Sequence, residues 1–135
     1  MFLKPLMLDV SEFTKKCVNN SIKNNIVSND YYFQPSECDY TNLIILKITL
    51  KESENVSLSD FESMYHSAYI NPINEKFDYT TITLTVPYNK EKNFNSPFID
   101  ICIFHEIEHM YDDWMRQING GYSSVEDVSR LLKDL

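Results

Sequence analysis

Two glycines in 135 residues leave the chain little freely swivelling backbone, and five prolines impose few breaks. A composition so poor in both, with 43% hydrophobic residues and 13% aromatics, excludes a flexible linker, a collagen-like repeat and a disordered tail. Cysteine is scarce as well. Cys17, Cys38 and Cys102 are odd in number and widely spaced, which argues against a disulfide scaffold or a CxxC metal knuckle and points to a reducing compartment. Twelve Lys and Arg stand against 20 Asp and Glu, a formal charge of -8 that disfavours a nucleic-acid partner, because phosphates are gripped by clustered cations. Long apolar runs are missing too. No window approaches the roughly 20 residues of a bilayer-spanning helix, and the opening MFLKPLMLDV is too short an apolar run for a signal peptide. The expectation is a cytoplasmic protein with no membrane partner.

What the chain does contain is a run of periodic segments sufficient for one domain, residues 1–135, with no internal repeat or linker. Val10, Phe13, Cys17 and Ile22 share one face and predict an amphipathic helix over roughly 10–24, with Asp9 or Ser11 as cap. LIILKITLK, residues 43–51, alternates apolar and polar as a half-buried strand does, and YYF at 31–33 suggests a shorter one. SDFESMYHSAY reads as a second helix: Ser59 and Glu62 have capping-box spacing, and Phe61, Met64, Tyr65, Ala68 and Tyr69 follow a 3.6-residue period. YTTITLTVPY then sets Ile82, Leu84 and Val86 opposite Thr81, Thr83 and Thr85, and Pro87 suits an edge strand.

The next segment is a long helix, with Ser96 as N-cap, Pro97 in the first turn and Asn119, Gly120 and Gly121 ending it. Its first half is apolar almost all round, which predicts a helix running through the core. A short last helix from about 124 carries Val125, Val128, Leu131 and Leu132. The expected fold class is α+β, a small mixed or antiparallel sheet with a buried long helix and a short C-terminal one.

Within the long helix stands FHEIEHMYDDW, which holds two of the three histidines. His105 and His109 lie about 40° apart around the axis and one turn apart along it, so both imidazoles can reach one metal ion. Glu106, about 100° round from His105, is placed to hold a water and take its proton. HEIEH thus meets the HExxH pattern and resembles the zincin metallopeptidases of the gluzincin type. The longer HEIEHMYDD is similar to the HExxHxxDD helix of neprilysin-like peptidases and of small zincin-like proteins from bacteria and their phages. The resemblance implies a hydrolase that cuts a peptide or protein substrate, with Zn2+ held by His105 and His109. In zincins an edge strand binds extended substrate, which implies the Thr81, Thr83 and Thr85 strand as the docking edge. A phage origin would leave association with the virion open.

Asp112, on the same face as the histidines but a further turn along, is expected to orient an imidazole or the remaining ligand, with Asp113 less well placed to do so. The family's third ligand sits in a downstream ExxxD motif that this chain does not have, and Glu126 is assigned in its place. Glu126 also stands three residues after Ser123, the spacing of a capping box that needs no metal. Asp112 with Arg116 has the spacing of an ordinary helix ion pair. His66 is set aside as structural, and Tyr122 reads as packing or as a hydroxyl near the reacting carbonyl. The competing reading is a catalytically inactive zincin-like protein with a binding or structural role, such as a virion component.

Overall fold

The computed structural model describes residues 3–35, 40–67, 69–91 and 96–119. Among them are two α-helices, α1 (Leu3–Lys23) and α2 (Ser96–Ile118), and four strands, β1 (Ser28–Phe33), β2 (Ile44–Glu52), β3 (Glu62–His66) and β4 (Thr80–Tyr88). The fold is mixed α+β. The predicted C-terminal helix lies outside the described residues. No helix among the described residues is long and apolar enough to cross a membrane.

Helix α1 begins well before the expected residue 10. Pro5 falls in its first turn, where the missing N–H has no intrahelical acceptor to lose, so it starts the helix instead of blocking it. Leu6, Val10, Thr14, Cys17, Val18 and Ser21 form the buried stripe. Ser11 is no cap: it is buried, and its hydroxyl donates to Asp100 of α2, while Lys15 pairs with the same carboxylate at 3.1 Å. Bonds to Glu12 and Asp100 raise the Lys15 pKa. The helix closes on Asn25 at φ 56°, with Ile26 N–H donating to Ser21 C=O at 2.8 Å and Asn25 N–H to Ile22 C=O at 3.4 Å. This is a Schellman cap with asparagine in the left-handed position.

The sheet runs β1-β2-β4-β3, with β2 and β4 parallel in the centre and antiparallel strands at both edges. Register explains the core. Leu46 pairs with Ile82, Ile48 with Leu84 and Leu50 with Val86, so one apolar face forms across both central strands. Helix α1 covers that face beside β1 and β2, and α2 covers it beside β3 and against α1.

Three expectations give way here. SDFESMYHSAY is not a helix: Ser57 and Asp60 close one 3-10 turn over Leu58–Asp60, and the chain then extends into β3. Its apolar residues also fit a period of two, with Ser63 and Tyr65 facing inward and Met64 outward, and pairing with β4 decides between the two periods. β4 is consequently interior, not an edge. Pro87 is tolerated because the β3 ladder stops at Thr85, which leaves that end of β4 with one partner. Finally, α2 does not run through the core. It buries Ile99, Ile103, Ile107, Met110 and Trp114 but leaves Ile101 half exposed, so one face is open.

Burial on the inner face of α1 pushes the Cys17 thiol up from 9.0 to about 11. The unfolded thiol ionises first, so stability is full below about pH 9 and is lost as pH rises toward the folded value. Urea unfolding at about pH 8 and about pH 10.5 should show the wild type losing about 2 kcal/mol more than Cys17→Ala between the two. Equal losses would show that the thiol is not desolvated.

Candidate functional site

The open face of α2 carries the motif. His105, His109 and Asp112 line one exposed strip, and Glu106 and Asp113, two turns apart, line the neighbouring buried one. The two histidine Nε2 atoms approach to 2.9 Å, with ring centroids 4.4 Å apart and planes at 88°. Two neutral imidazoles meet this way only if one presents N–H and the other its lone pair. A tetrahedral zinc ion holds two such nitrogens about 3.3 Å apart, so a small rotation of either ring would aim both lone pairs at one cation. The pair fits two metal ligands.

Glu106 is 5% exposed, and the Ser63 hydroxyl donates to its Oε1 at 3.2 Å. Burial of a carboxylate requires such a donor. Carboxylate and imidazoles share one cleft of about 500 Å³ between α2 and β3, bordered also by Tyr65, Asp113 and Arg116. A buried carboxylate, two imidazoles and an open space therefore stand together.

The two aspartates of the motif stand in different surroundings. Asp112 borders the cleft, exposed, one turn beyond His109. Asp113 is the anchored one: buried, it accepts from the Tyr65 hydroxyl at 2.6 Å and from Gln117 Nε2 at 3.3 Å, and Gln117 Oε1 accepts Ile70 N–H at 3.3 Å. Ser63 and Tyr65 were missed because their segment was read as a helix. The alternation Ser-Met-Tyr-His held the signal.

Thr81, Thr83 and Thr85 do not reach this cleft. They alternate with the core residues of β4 and so face away from α2, and their strand pairs with β2 on one side and β3 on the other. The edge beside the cleft is β3. Glu126 and Tyr122 lie outside the described residues. Among the described residues, no three His, Cys, Asp or Glu side chains are grouped to hold a metal ion. Burial, first of all, raises the Cys102 pKa; the Ser63 hydroxyl opposes the rise and the Glu106 charge adds to it. An inert thiol thus backs the site. Compared with protein-family models, curated proteins and solved structures, the chain matches none of them.

Proposed function

We propose that the protein is a small zincin-like metallopeptidase in which His105 and His109 are zinc ligands and Glu106 is the general base. The observation that carries this reading is the convergence of two imidazole nitrogens 2.9 Å apart beside a buried carboxylate in one open cleft. Zinc, when bound, supplies Lewis acidity toward a peptide carbonyl and toward water. Glu106 takes a proton from the attacking water and returns it to the leaving amine nitrogen, so the carboxylate is regenerated in each turnover. The outer edge of β3, unpaired among the described residues, takes the place of the threonine strand and offers its backbone to an extended peptide or protein substrate.

Glu126 remains the candidate third ligand. From His109 to Ile118 the helix advances about 14 Å. The chain from 119 to 126 reaches up to about 24 Å when extended, so its carboxylate is within range of the imidazoles. Against this stands the second reading, an inactive zincin-like binding or structural protein, virion-associated if phage-encoded. It is favoured by the missing third ligand among the described residues.

Metal content and turnover separate the two. The purified protein should retain about one zinc per chain, and His105→Ala or His109→Ala should weaken zinc binding by at least about 100-fold. A mixed peptide library followed by mass spectrometry should show cleavage that stops with either variant. A chain that binds no zinc at micromolar concentration sinks both zincin readings, while bound zinc without cleavage selects the second.

A further inference from the structure

We propose that Ser63 is a positioning residue for Glu106, and that it joins the edge strand to the base. The inference rests on the reading of Glu106 as the general base.

Ser63 and Tyr65 occupy alternate positions of β3 and face α2, where each donates its hydroxyl to a carboxylate, Ser63 to Glu106 and Tyr65 to Asp113. The geometry of the two elements accounts for the residue types. Alternate strand residues are about 6.8 Å apart, whereas Glu106 and Asp113, seven residues apart, are separated by about 10.5 Å along the helix. The long tyrosine makes up the difference at one end, and the short serine meets Glu106 directly at the other. The 2.6 Å bond from Tyr65 to buried Asp113 is the firm anchor, being short and charge-assisted. With β3 fixed there, Ser63 falls opposite Glu106.

Ser63 has one hydroxyl proton and spends it on Oε1, which sets the plane of the carboxylate. A glutamate on a helix has three side-chain torsions, and a base that swings among rotamers spends little time aimed at the reacting water. Among the described residues β3 pairs with β4 on one side only, and a peptide that adds to its other edge also immobilises Ser63. Occupation of the edge is thereby linked to the aim of the base.

The test uses the full chain with carboxyl-13C glutamate, the Glu106 resonance being assigned by its loss in Glu106→Gln. Ser63→Ala should move that resonance and leave the other glutamates in place, and Ser63→Thr, which keeps the hydroxyl, should restore it. On a cleaved peptide Ser63→Ala should lower kcat about tenfold with KM within about twofold, Ser63→Thr should recover most of the loss, and the loss should vanish in a Glu106→Gln background. An unmoved Glu106 resonance in folded Ser63→Ala, or an unchanged kcat, overturns the proposal. If the wild type cleaves nothing, the peptidase reading fails, and the resonance alone decides whether Ser63 holds Glu106.

Discussion

Glu106→Gln is expected to cut peptide hydrolysis by about 10²- to 10⁴-fold while zinc content stays at the wild-type level. Glutamine has nearly the same shape and keeps a carbonyl oxygen to accept from Ser63, so the 3.2 Å contact can persist and the helix is undisturbed. What disappears is a group able to take a proton from water. Because the substituted side chain is buried and loses its charge, unfolding free energy should change by no more than about 1 kcal/mol. The measurement is kcat/KM on the best library peptide, with zinc content and urea unfolding on the same preparations. Activity within threefold or so of the wild type would remove Glu106 from the chemistry, since another base would then be acting.

The parts of this protein that were legible in its sequence are those set by neighbours along the chain. The histidine pair is one: four residues on a helix determine its geometry, and the helix itself is announced by Ser96 and Pro97. The central strands are another, because LKITLK, residues 46–51, and TTITLTV alternate apolar with polar residues. What was hidden is what distant residues decide. The chain folds β3 into a connection between two parallel strands, and its short alternation, with no β-branched residue, competes with an equally good 3.6-residue period until pairing with β4 decides. The partners of Glu106 and Asp113 were hidden for the same reason, being 43 and 48 residues away. Nothing in HEIEH tells that Glu106 is buried or that its burial is met by a serine hydroxyl. Asp113 shows the converse. Beside Asp112 it looked the less useful of the two, and only the 3.6-residue phase relative to Glu106 and Met110 turns it inward.

Trp114→Ala should be the most destabilising substitution in the helix, costing about 3–5 kcal/mol out of a total stability of about 5–15 kcal/mol. The indole is fully buried and stacks on Phe77 with centroids 5.2 Å apart and planes at 22°, with the Tyr40 ring 6.2 Å away. Phe77 is where two loops meet, since its N–H donates to Tyr40 C=O at 2.8 Å and its own C=O accepts Asn42 N–H at 3.0 Å. Removing the indole therefore opens a cavity and leaves that junction without its lid. The ring nitrogen supplies a control: Nε1 is buried with no hydrogen-bond partner among the described residues, a defect that Trp114→Phe removes together with part of the ring. Phenylalanine should accordingly cost less than about 1.5 kcal/mol. Trp114 is the only tryptophan, so unfolding must be followed by far-ultraviolet circular dichroism, not by indole fluorescence. If alanine and phenylalanine cost the same, the stack on Phe77 is not what holds the end of α2. If alanine alone is costly, zinc affinity measured well below its unfolding midpoint should still match the wild type, because His105 and His109 stand on the opposite, exposed side of the helix.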